Sequence, residues 1–240
     1  MRPPQYFPAL PYAALVQRAD CFVLADTFEH SRRSRQNRAR LRTPQGAQWI
    51  TVPIKRGQTH RPVAEVEIDN RSRDESTDGA HWRSRHRRAM QCDYRSTPYF
   101  AHFEPALEAF FGRAWRRLGP CACASTRLLA EWAGLEHDLR RASALPGSPD
   151  TLPSILEAVG AKQATVLVPS SSAAHDAALL EDTGHAVRAF AFDAPRYRQA
   201  FAGFEPGMSF ADLLFGYGPE ARALLAEGAR VETPSPEAPS

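Results

Sequence analysis

The residues best suited to chemistry crowd into the first 55 positions. Arg32, Arg33, Arg35, Arg38, Arg40 and Arg42 lie close together, with the amide of Asn37 in their midst. A guanidinium is a planar fork of donors that matches carboxylate and phosphate oxygens. Arg33 and Arg38, with Lys55 downstream, are therefore candidates for gripping a phosphate-bearing small molecule. Asn37 and Gln5 can orient polar groups of the same ligand. Tyr6 and Tyr12 stand on a stretch clamped by Pro3, Pro4, Pro8 and Pro11, which presents them rigidly. Asp26 closes an apolar run, and His81 and His86 follow in a later helix. Histidine titrates near neutrality and a carboxylate can be tuned to do so, which makes Asp26 and His86 the candidates for moving protons. His81 is a candidate for contact with an anionic ligand. A solvated basic face accounts for these arginines as well as an anion site does, and a satisfied or solvated ring accounts for either histidine. Both readings stay open at this level.

Other chemistries have less support. No Ser-His-Asp or Cys-His arrangement is legible, so a covalent intermediate is not expected. Cys21, Cys92, Cys121 and Cys123 lack metal-ligand spacing, and His81 and His86 are five positions apart where a helical metal pair wants four. No metal and no cofactor is expected. Residues 1–100 hold seventeen arginines and one lysine against ten acids, whereas residues 101–240 hold eleven arginines and one lysine against seventeen. An anionic partner is thus expected at the first half. Nucleic acid is a weaker candidate, because most aromatic residues sit in apolar periodic stretches instead of alternating with arginine. A polyanion-binding protein and a non-catalytic scaffold remain the alternatives to an enzyme. No run of about eighteen apolar residues occurs, and no apolar segment opens the chain. These features lead us to expect no transmembrane segment and a cytoplasmic protein.

These groups need a scaffold, and the pattern supplies an α/β chain of mixed α+β type: small mixed sheets, an N-terminal β-hairpin and several packed helices. A helix is expected over 12–19 and a strand over 20–25. An α/β unit would want a further strand before the prolines; either the chain continues upstream, or the sheet begins with residues 20–25. The alternation of 38–42 and the β-branched run 48–54, joined by Thr43-Pro44-Gln45-Gly46, predict the hairpin, with Arg38, Arg40 and Arg42 on one face. Residues 63–68 alternate like another strand. Helices are expected over 81–94, over 104–118, and from a cap at Ser125 to about Arg141. A second α/β unit follows over 150–195. Ser209 caps a helix carrying Asp212, whose place in the first turn suits a structural role. The whole reads as one domain over 1–232, divisible into a basic lobe (1–100) and a helical lobe (101–232), with a disordered tail over 233–240.

The chain resembles the WbqC-like proteins of bacteria. The likeness lies in Gln5-Tyr6-Phe7-Pro8 with Leu10 and Tyr12, in Asp20 and Asp26, and in Arg33-Ser34 with Gln36-Asn37-Arg38. It continues through Gly46, Thr51-Val52-Pro53, Ile68-Asp69, His81-Trp82, His86, Tyr94 and Pro98-Tyr99-Phe100. It returns in Pro195-Arg196-Tyr197, Phe204-Glu205-Pro206 and the run 209–215. The chain departs from the family pattern at Pro3, Ala9, Pro11 and the turn 169–172. The resemblance implies a cytoplasmic α/β protein of surface-polysaccharide or O-antigen biosynthesis, a transferase acting on a nucleotide-linked or lipid-linked amino sugar. The central expectation is that guanidinium groups of the hairpin meet the tyrosine-bearing turn around one anion.

Overall fold

The computed structural model describes residues 1–71, 81–135 and 138–232; the tail expected to be disordered lies outside them. Helix α1 (Leu10–Arg18) leads into strand β1 (Cys21–Leu24). It starts two residues earlier than expected because Pro11 sits in its first turn, where a proline has no hydrogen bond to lose. Strand β1 runs parallel to β4 (Asp138–Arg141), and on its other side Arg2 makes a parallel bridge to Leu24. A single residue thus stands where a strand ahead of the prolines was wanted. Strands β2 (Arg38–Thr43) and β3 (Gly46–Thr51) form the expected hairpin.

Helix α2 (His81–Tyr94) buries Trp82, His86, Met90 and Tyr94 along one side. Helices α3 (Phe100–Gly112) and α4 (Leu118–Trp132) follow. After α5 (Leu152–Ala158), strand β5 (Thr165–Pro169), helix α6 (Ala173–Leu179) and strand β6 (Ala186–Phe192) form the second α/β unit. Its sheet is completed by β7 (Ala229–Glu232), antiparallel to β6, after helices α7 (Phe210–Tyr217) and α8 (Ala221–Gly228). The architecture is mixed α+β with small sheets and a hairpin near the N-terminus.

Three expectations about these elements fail. Residues 63–68 are not a strand: Val66 N–H folds back onto the carbonyls of Pro62 and Val63. The carbonyls of Val66 and Val63 then accept from Leu118 N–H (2.8 Å) and Gly119 N–H (3.0 Å), the orphan donors that open α4. A side chain at Gly119 would strike the Ala64 backbone, so this approach requires glycine. The helix expected over 104–118 runs from Phe100 to Gly112 instead, and the one expected from Ser125 starts at Leu118. Ser125 is a fully buried mid-helix residue whose Oγ accepts from Phe7 N–H at 2.9 Å. Gly134, at positive φ, ends α4 and frees 138–141 to become β4.

The largest core cluster gathers Tyr6, Phe7 and Leu10 with Phe103, Phe110 and Phe111 and with Phe210, Phe215 and Leu225. Phe7 adopts φ +41, a conformation that costs about 1–3 kcal/mol for a non-glycine residue. Ser125 holds its N–H, and the rings of Phe110 (5.3 Å) and Phe111 (5.9 Å) pack around its side chain. The same turn directs Tyr6 toward α2. Asp212, in the first turn of α7, is a buried knot: its carboxylate accepts from Tyr94 (2.8 Å), Tyr197 (2.6 Å) and Gln199 (3.2 Å). Burial raises its pKa above the usual carboxylate range, and these donors oppose that rise.

Candidate functional site

The hairpin has one edge that its own partner strand does not use. Its loop has two residues, so Thr43 and Gly46 flank it as a hydrogen-bonded pair, and bonded pairs then recur at every second position. The neighbours agree with this alternation. Arg40 gives its carbonyl to Ser209 N–H (2.8 Å), and Arg42 N–H donates to the Tyr94 hydroxyl (2.6 Å), so both turn away from β3. On β3, Trp49 (opposite Arg40) and Thr51 (opposite Arg38) must by the same alternation turn their own main-chain groups outward, toward α2.

A cleft of about 1130 Å³ opens there. One wall is residues 48–51 with Pro53, Ile54 and Arg56. The facing wall is Trp82, Arg85, His86 and Ala89, which spacings of three and four place on one side of α2. Asp69, Asn70 and Arg71 close one end. Asn70 holds that end together, accepting from Trp82 Nε1 (2.9 Å) and donating to the Trp115 carbonyl (2.8 Å). Arg71 grips both oxygens of Asp69 at 2.8 Å and lowers that carboxyl's pKa to about 2. Three guanidinium groups thus line a cleft with one carboxylate, and two indoles share its walls. His86 lies at the base, its Nδ1 2.9 Å from the hydroxyl of buried Tyr6. Burial, then the charge of Arg85, lower its pKa to about 3, against a smaller opposing effect of a hydrogen bond with the Thr51 backbone. His86 is therefore a neutral ring at physiological pH.

The profile of the WbqC-like protein family matches residues 3–224. The chain belongs to this family. It is also 30% identical over 234 residues, covering 92% of this chain and 94% of the relative, to a Mycobacterium tuberculosis protein named only as the uncharacterized protein Rv1507c. No solved structure matches it. No helix among the described residues is long and apolar enough to cross a membrane.

In this WbqC-like chain the residues singled out from sequence fall into separate places. His86 lines the cleft, and Tyr6 supports it from below. Arg38 stands beside the cleft, 4.3 Å from the Trp49 ring, with Nε donating to the Ser34 carbonyl (3.1 Å) and Nη2 to the Arg33 carbonyl. Arg33 is exposed, at φ +61. Lys55 pairs with Glu67 at 3.0 Å. Asn37 donates to the Val52 carbonyl (3.1 Å), and Gln5 accepts from Ala9 N–H (3.2 Å). Tyr12 is buried against Phe22, its rings 5.4 Å apart. Asp26 is fully buried away from the cleft. Arg141 donates to it twice (3.0 and 2.8 Å), and Ser143 donates through N–H (2.9 Å) and Oγ (2.8 Å). His81 opens α2, but its side chain lies outside the described residues.

The hairpin and the tyrosine turn do adjoin, through Tyr6 N–H donating to the Arg35 carbonyl at 3.1 Å. They meet through main chain and buried rings, while the guanidinium groups that line the cleft are Arg56, Arg71 and Arg85. Sequence reasoning passed over these three along with Trp49 and Trp82. A signal was present: Trp82, Arg85 and His86 share a helical face whose other members are apolar.

Proposed function

We propose that this WbqC-like protein is a transferase of bacterial surface-polysaccharide biosynthesis whose cleft between β3 and α2 holds the phosphates of a nucleotide-linked or lipid-linked amino sugar. The observation that carries the reading is the convergence of Arg56, Arg71 and Arg85 on one cleft whose single lining carboxylate, Asp69, is already held by Arg71. Guanidinium donors suit phosphate oxygens, and the walls contributed by Trp49 and Trp82 suit the flat faces of a base or sugar. In this reading Tyr6 and His86 are positioning residues: the neutral imidazole ties the N-terminal turn to the cleft floor. Thermal-shift measurements on the full chain with UDP-, GDP- and dTDP-sugars test it. Stabilisation by at least one, reduced in Arg85→Ala, is the expected result; no stabilisation by any overturns it.

A polyanion-binding surface is the second reading, and one observation favours it. Trp49 is 41% exposed, and its ring lies 5.1, 4.3 and 5.9 Å from the guanidinium carbons of Arg35, Arg38 and Arg40. That is the aromatic-with-arginine combination that the sequence pattern lacked elsewhere. It predicts binding to a single-stranded oligonucleotide that falls steeply with salt; no signal in filter binding at low salt removes it.

A further inference from the structure

We infer that the main chain of Trp49 reads the lactam edge of a nucleobase, so that the ligand of the cleft is nucleotide-linked and not lipid-linked. The inference rests on the cleft being the ligand site, as proposed above, and narrows its substrate class. Trp49 pairs with Arg40 at a position of the hairpin where neither residue bonds the other. Arg40 satisfies its carbonyl with Ser209, whereas the N–H and C=O of Trp49, turned away from β2 by the alternation, meet no main-chain group outside the hairpin among the described residues. The next outward residue, Thr51, lines the same cleft as His86 of α2, which places this strand edge opposite that helix.

An extended residue presents its N–H and C=O side by side on one edge. A trans secondary amide, such as the N-acyl group of an amino sugar, points its donor and acceptor in opposite directions and satisfies only one of the two. The cis lactam of uracil, thymine or guanine has N–H and C=O adjacent and can satisfy both. A polyprenyl chain satisfies neither and would leave both polar groups buried beneath it. The cations suit the diphosphate of such a ligand: Arg56, Arg71 and Arg85 line the same cleft as Trp49.

Calorimetry on the full-length protein with UDP, dTDP, GDP, inorganic pyrophosphate and farnesyl diphosphate tests the inference. The tightest of the three nucleotides is then compared with its counterpart methylated on the lactam nitrogen. At least one nucleotide should bind about tenfold more tightly than pyrophosphate or farnesyl diphosphate, and methylation should cost roughly tenfold, the scale of one hydrogen bond lost with its partner left unpaired. Trp49→Phe retains the N–H and should keep this discrimination. Trp49→Pro deletes the N–H that donates to the lactam carbonyl, at an edge position that a proline can occupy, and should weaken the methylated and unmethylated nucleotides alike, roughly tenfold, while the retained carbonyl keeps the ratio between them. Equal affinity for the methylated and unmethylated nucleotide overturns the inference. So does farnesyl diphosphate or pyrophosphate binding as tightly as every nucleotide; if that binding requires Arg85, the anion cleft survives without a base site. Failure of all five ligands to bind overturns both.

Discussion

Arginines occur in two settings in this molecule, and the contrast locates the site better than their number does. On the hairpin, Arg35 donates to the Gly207 carbonyl (2.8 Å), Arg40 to that of Pro206 (3.0 Å), and Arg42 to those of Thr43, Gly46 and Ala202. These guanidinium groups fasten the 202–207 loop to the ribbon, and burial, with the charges of Arg40 and Arg38, lowers the pKa of Arg35. Arg141 is committed in the same way to Asp26. Across β3, Arg56 and Arg85 stand in the cleft with no hydrogen-bond partner among the described residues. Identical side chains therefore do opposite work: where carbonyls and carboxylates surround a guanidinium it is a fastener, and where a cavity does it is available to a ligand.

The contrast can be broken experimentally, and the largest effect belongs to the committed group. Asp26→Ala would leave Arg141 partly buried without its carboxylate and should cost about 3–5 kcal/mol in chemical denaturation. Near-normal stability combined with lost function would make Asp26 a reacting group instead. Arg42→Ala takes the donor from the Ala202 carbonyl and a second donor from those of Thr43 and Gly46, and should cost about 1–3 kcal/mol, with ligand affinity of the folded fraction unchanged; weaker binding at full stability would move the site to the ribbon.

Acid tests the join between the two settings. His86 has a pKa of about 3 when folded, below its unfolded value near 6.5, so the folded state binds fewer protons between those limits. Its contribution is complete above about pH 6.5 and is lost as pH falls toward 3, about 2 kcal/mol of it by pH 5. His86→Gln should flatten this part of the stability profile; an unchanged acid limb would mean that the ring is not held neutral. Smallest is Arg85→Ala, expected to weaken the best nucleotide about tenfold, about 1.4 kcal/mol, while changing stability by less than about 0.5 kcal/mol. A stability loss as large as that of Arg42→Ala would show that Arg85 is a fastener too.

How much of this was legible varies with the range of the forces involved. The hairpin, α2, the β5–α6–β6 unit and the capped α7 follow from alternation, helical spacing and turn residues within a few positions of one another. The misread span 63–68 alternates as a strand does, but the open end of α4, some fifty residues later, draws its carbonyls into a turn. Ser125 has the composition of a cap and is used as a clamp on Phe7, 118 positions away. Asp26 and His86 are proton-transfer candidates by side-chain chemistry alone. Burial and partners from distant elements set what they do here.

Taken alone, the sequence determined the family, the mixed α+β class and the placing of positive charge in the first hundred residues, because periodicity, turn chemistry and charge are properties of neighbours in the chain. Only the tertiary structure decided which arginines still have donors free and which strand edge faces a cavity. Those outcomes depend on carbonyls and carboxylates brought from far along the chain, and a guanidinium's chemistry is fixed by what surrounds it after folding.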